Sequence, residues 1–105
     1  MARESFRRQT PSRPGNQGLV SKKLRVTLQR ILSGRSDSNL AFNDLISVLR
    51  ALDFEQRIRG DHHILWKDGI PEIINLQPSG AKTKSYQVRQ VRAILVRYGL
   101  GFDNE

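Results

Sequence analysis

The chain contains no cysteine, which excludes disulfides, thiolate metal centres and thiol nucleophiles. No apolar run approaches the roughly 18 to 20 residues of a bilayer-spanning helix, and the arginine-studded first residues lack the apolar core of a secretory signal. A reducing cytoplasm is the expected compartment, and a membrane is not an expected partner. With 105 residues the chain holds one small domain without room for a deep substrate-enclosing cavity, so an active site is expected on a surface or in a shallow groove. A P-loop, a zinc-protease helix and a Ser-His-Asp set are also missing.

Negative charge is scarce. Eighteen Lys and Arg against ten Asp and Glu give a formal charge of +8, and the sequence pI of about 10.9 points to a polyanionic partner, nucleic acid before an anionic membrane. The excess lies in residues 1–42, where nine basic residues face only Glu4 and Asp37. Residues 1–20 also hold Pro11, Pro14, Gly15 and Gly18 and few large apolar side chains. Such a segment cannot repay the entropy of ordering and reads as a solvated basic tail. No internal repeat is present.

Order is expected from Ser21 to about residue 102, as one domain. Leu24, Leu28, Ile31 and Leu32 recur at helical spacing between Ser21 as N-cap and Gly34, which predicts a short amphipathic helix within 21–33. A second helix is expected over Asn43 to Leu52, with Leu45, Val48, Leu49 and Leu52 on one face and Asp44 favoured at its positive end. Three short strands follow, Phe54 to Arg59, His62 to Trp66 and Glu72 to Leu76, with turn chemistry at Lys67-Asp68-Gly69. Pro71 suits a sheet edge or a strand start. A last helix is expected over Ser85 to Tyr98, with Val88, Val91, Ile94, Leu95 and Tyr98 inward, Gly99 left-handed and Leu100 folding back. The class is α+β, a sandwich with helices on one face of a three-stranded antiparallel sheet and the other face open.

The only two histidines, His62 and His63, stand side by side after Arg59-Gly60-Asp61. They are the only side chains here whose ordinary titration falls near neutral pH. Strand residues alternate faces, so if Ile64 packs under the helices, His63 and Leu65 reach the open face and His62 lies on the covered side. The plain structural alternative is that His62 caps the Gly60 turn and His63 is an ordinary surface residue. Because adjacent strand residues diverge, the pair with Asp61 is a poor chelate, and no metal or other cofactor is expected. Pro78-Ser79-Gly80 leads to Lys82 and Lys84 just before the last helix; free backbone N–H groups there, with two ammonium groups, form a possible phosphate perch. A solvated basic helix face is the alternative for that segment.

Three segments, RILSGRSDSNLAF (30–42), LDFEQRIRGDHHILW (52–66) and EIINLQPSGAKTKSYQVRQVRAILVRYGL (72–100), resemble HicA family toxins of bacterial type II toxin-antitoxin systems. The likeness is to the longer subgroup with an extra N-terminal helix and spans Arg30 to Leu100, about two thirds of the chain. It implies a double-stranded-RNA-binding-like α-β-β-β-α fold, ribosome-independent cleavage of mRNA, and silencing by a HicB-type antitoxin protein. It places the catalytic role on His63 rather than His62. Where the family carries Ser or Thr, this chain has Asp61, a carboxylate that would repel phosphate or support an imidazolium.

Under that resemblance His63 is the general base that takes the proton of an RNA 2′-hydroxyl. A cation, Lys67 or Lys84, would stabilise charge on phosphorus, leaving a 2′,3′-cyclic phosphate and a 5′-hydroxyl. Gly60, His62, Lys82 and Arg89 complete the expected RNA-binding set. The leaving oxygen takes its proton from water or from His62. Single-stranded RNA is the expected substrate, because cleavage needs a flexible backbone. The competing expectation is a non-catalytic RNA- or DNA-binding module on the same fold.

Overall fold

A computed structural model of the chain describes residues 20–102. The expected basic tail, residues 1–20, lies outside them except for Val20. The first helix, α1 (Lys22–Ser33), starts where Ser21 Oγ accepts the Leu24 backbone N–H at 3.1 Å and stops at Gly34, as the cap pattern predicts. A 3-10 turn, Asp37–Asn39, leads to α2 (Phe42–Ala51). That helix begins one residue before the expected Asn43. The reason is tertiary: the Phe42 N–H donates to Ala81 O at 2.9 Å, and Ala41 bridges to Lys82, so a distant loop fixes the entry.

The sheet is an antiparallel meander, β1 (Glu55–Arg59), β2 (His62–Lys67) and β3 (Ile70–Leu76), in that spatial order. Arg59 pairs with His62, so only Gly60 and Asp61 form the first turn. Gly60 has φ +60°, and a positive φ confined to the first central residue is the pattern of a II′ hairpin, whose twist matches the strands. The third strand starts at Ile70 rather than the expected Glu72. It accommodates Pro71 because β3 is an edge and its register against β2 shifts between Leu65 and Lys67. The last helix, α3 (Ser85–Arg97), closes with Gly99 at φ +61°. Gly99 N–H donates to Val96 O at 3.3 Å and Leu100 N–H to Leu95 O at 2.9 Å, the Schellman closure expected from Gly99 and Leu100.

Leu65, Ile74 and Leu76 of the sheet are fully buried in one cluster with Phe42, Leu45, Val48 and Leu49 of α2 and Val88, Val91 and Leu95 of α3. These two helices therefore cover one face of the sheet. Helix α1 packs on both of them, with Leu28 and Ile31 buried. Arg92 ties the helical layer together: its guanidinium donates to Asp37 at 3.0 and 3.1 Å and to Ile31 O at 3.0 Å. Among the described residues the architecture is α+β, with three α-helices and a three-stranded antiparallel sheet. Among the described residues no helix is long and apolar enough to cross a membrane.

One expectation reverses. Leu65, not Ile64, is the buried residue of β2, so Leu65 and His63 point to the helices while His62, Ile64 and Trp66 point to the open face. The cause is cross-strand: His63 pairs with Leu76 and Leu65 with Ile74, and those two β3 residues are the inward ones. Within β2 alone, Ile64 and Leu65 are equally apolar, and strand periodicity cannot choose between them.

Candidate functional site

The two histidines are separated by the thickness of the sheet, and each has its own clamp. His63 is half-buried at the margin of the core. Its ring meets Phe42 edge-on, with centroids 4.9 Å apart and planes at 71°, and its Nδ1 lies 2.9 Å from Gln56 Oε1. His62 lies on the open face with 49% of its side chain exposed, and its Nδ1 lies 3.2 Å from Asn75 Oδ1. An amide oxygen only accepts, so each neutral ring is held with the proton on Nδ1 and the lone pair on Nε2. Both rings are thus set as acceptors at Nε2, one under the helices and one facing out.

Around His62 the hairpin assembles charge. Arg59 stands directly across from it in the β1–β2 register, where facing Cβ atoms are about 5 Å apart. Asp61 Oδ1 lies 3.9 Å from His62 Nε2. The other Asp61 oxygen accepts from Gln77 Nε2 at 2.8 Å. That hydrogen bond, more than the nearby His62 and Lys84 charges, holds the Asp61 carboxyl below its usual value, with slight burial opposing. Asp61 is therefore an anion at neutral pH.

Lys84 joins the same end of the sheet, because its Nζ lies 3.5 Å from Gln77 Oε1. Gln77 is itself anchored by the buried amide of Gln87, which pairs with the Gln77 backbone through two 3.1 Å hydrogen bonds when its oxygen faces Gln77 N and its nitrogen Gln77 O. Lys82 sits nearby in the tight turn closed by Ser79 and donates to Asn39 Oδ1 at 3.2 Å. Arg89 is exposed on the first turns of α3.

Of the residues expected from sequence, Gly60, His62 and Lys84 share this end, and Lys82 and Arg89 lie around the start of α3. Lys67 does not join them. It pairs with Ile70 at the opposite hairpin, four residues from His63 along β2, about 13 Å at the usual rise, and there it lines a small cavity of about 130 Å³ with Ala51, Leu52 and Phe102. Sequence reading missed Arg59, Asn75 and Gln56. The first was within reach: a two-residue turn at Gly60-Asp61 obliges Arg59 to face His62. Asn75 and Gln56 depend on strand register across the whole sheet, which no local pattern carries. Compared with protein-family models, with curated proteins and with solved structures, the chain matches none.

Proposed function

We propose that this protein is a metal-independent endoribonuclease of the HicA toxin kind, a double-stranded-RNA-binding-like domain carrying an extra N-terminal helix. It cleaves mRNA in the cytoplasm and is silenced by a HicB-type antitoxin. The observation that carries the reading is an exposed imidazole, His62, whose Nδ1 is clamped by Asn75 so that Nε2 is the acceptor, with the Arg59 cation across the strand pair.

In this reading His62 Nε2 takes the proton of the 2′-hydroxyl. The freed O2′ attacks the adjacent phosphorus while the bond to O5′ breaks, and O5′ takes a proton from water. The products are a 2′,3′-cyclic phosphate and a 5′-hydroxyl. Arg59, and Lys84 through its Gln77 tether, oppose the charge that develops on the phosphate oxygens. Phosphate approaches against Asp61, whose charge works in the opposite sense.

His62 takes the role that the family resemblance gives to His63. The reason is access: His62 is exposed on the open face, whereas His63 is half-buried against Phe42 at the edge of the helical layer. The second reading keeps His63 as base, favoured by its shorter 2.9 Å clamp to Gln56 and, among the described residues, by the absence of a carboxylate within ion-pair distance. Under either reading a single phosphate meets one imidazole, so the other histidine does not serve as the acid for the same bond.

The test is end-group chemistry. Purified protein incubated with unstructured RNA in EDTA is expected to give 2′,3′-cyclic phosphate and 5′-hydroxyl ends, and none from RNA carrying a 2′-deoxy sugar at the cut position. RNA that is bound but left intact supports a non-catalytic binding module instead.

A further inference from the structure

The sheet face turned away from the helices carries an organised surface beyond the histidine. His62, Ile64 and Trp66 form one row along β2, and the register places Arg59, Arg57 and Glu55 opposite them on β1. Ile73 of the neighbouring strand is 64% exposed. Among the described residues neither Arg57 nor Arg59 makes an ion pair with an acid. Ile64 and Trp66 are half-buried in this row, so a sheet face with no helix over it carries a partly open indole and an exposed isoleucine beside two guanidinium groups. Apolar area grouped on an open face and rimmed by polar side chains marks an interaction surface.

We propose that this face is a track for single-stranded RNA, in which a base stacks on Trp66, the backbone runs past Arg57 and Arg59, and the strand arrives at His62. The inference rests on the nuclease reading for the role of His62, and it adds the route that the substrate takes across the sheet. Charge complementarity selects the occupant: the row holds two arginines against Glu55 alone. The aromatic selects the form. Bases in a duplex are stacked on one another, whereas an unpaired base offers a free face to an indole. His62 and Trp66 are four residues apart, about 13 Å along the strand, so the stacked base belongs to a nucleotide near the scissile phosphate rather than adjoining it. A preference in cleavage set at a short distance from the cut follows from that spacing.

Trp66 is the only tryptophan in the chain, so its fluorescence reports on this face alone. A short single-stranded 2′-O-methyl oligoribonucleotide, which lacks the attacking hydroxyl, is titrated into the full-length protein. Saturable quenching of Trp66 is expected. Trp66→Leu, which keeps an apolar side chain, is expected to weaken binding about tenfold when followed by a labelled oligonucleotide. Arg57→Gln and Arg59→Gln, on the exposed edge strand, should each flatten the log–log salt dependence by about 0.7. Circular dichroism confirms that each variant is folded.

Binding without any change in Trp66 emission, or arginine variants with an unaltered salt slope, overturns the track. So does equal affinity and quenching by a duplex of the same sequence, or by anionic phospholipid vesicles. The two readings fail separately: quenching by the oligonucleotide with no cleavage of unmodified RNA removes the nuclease and leaves the track, and cleavage without quenching does the reverse.

Discussion

The two faces of the sheet differ in what neighbouring residues of one strand are used for. On the covered face His63, Leu65, Ile74 and Leu76 meet helices, and even the imidazole is half-buried against Phe42 and Gln56. On the open face His62 is exposed and Ile64 and Trp66 are half-buried, beside the exposed Arg57 and Arg59. Adjacent identical residues thus have unlike environments, and identity in sequence says nothing of role until the face is known. The covered face holds the fold together, and the open face is available for chemistry.

That division predicts unequal costs. Leu65→Ala removes a fully buried side chain and is expected to lower stability by about 2–5 kcal/mol, while Ile64→Ala, one residue away, costs about 1 kcal/mol or less. Urea denaturation of both variants measures the contrast. Similar losses for the two would erase the distinction between the faces.

The helical layer offers a control. Arg92 and Asp37 are both largely enclosed, and their paired hydrogen bonds hold α3 to the turn before α2. Arg92→Leu leaves Asp37 and Ile31 O without that donor and is expected to cost about 1–3 kcal/mol, with RNA cleavage at a temperature well below melting unchanged. A variant that keeps its stability but loses cleavage would mean that the helical side carries function.

Much of this arrangement was legible in the sequence, because the signals are local. Ser21 before an apolar 3.6-residue pattern, Gly99 after one, and two turn dipeptides flanking His62 to Lys67 are each decided within a few residues. The face of the histidines was not. It depends on Leu65 meeting Ile74 and on His63 meeting Leu76, contacts between strands whose register is set by the whole sheet. For the same reason Asn75 and Gln56, polar residues with no signature of their own, became visible as histidine clamps only in three dimensions. The expected cation Lys67 was placed by nearness in sequence, and strand geometry carries it to the far hairpin.

Acid sharpens the comparison at the rim of the covered face. Glu72 accepts from Tyr98 Oη at 2.7 Å and Arg97 at 2.9 Å, and the tyrosine hydrogen bond above all holds its carboxyl below the ordinary 4.5. A lowered carboxylate pKa stabilises the folded state at and above the ordinary value, and that contribution is lost as pH falls through the lowered one. Wild type is therefore expected to melt above Glu72→Gln at neutral pH, and the gap should close as the solution is acidified below about 4.5. Thermal melts of both proteins across that range check the sign, and a gap that persists in strong acid contradicts it.

The smallest effect is expected at the turn between the faces. Asp61→Ser removes an exposed anion 3.9 Å from His62 Nε2 and should tighten binding of single-stranded RNA about twofold at low salt, the scale of an exposed charge interaction. The gain should fade as salt is added. Weaker binding at every salt concentration would make Asp61 a positive part of the site, for instance through its grip on Gln77.

The most direct test sets the two histidines against each other. Initial rates of cleavage of one single-stranded RNA are measured for wild type, His62→Ala and His63→Gln, with each variant's fold confirmed by its melting curve. Loss of a general base is expected to slow His62→Ala by about 10²- to 10⁴-fold, while His63→Gln stays within severalfold of wild type. The reverse ranking, with His62→Ala active and folded His63→Gln inert, would contradict the assignment of chemistry to the open face.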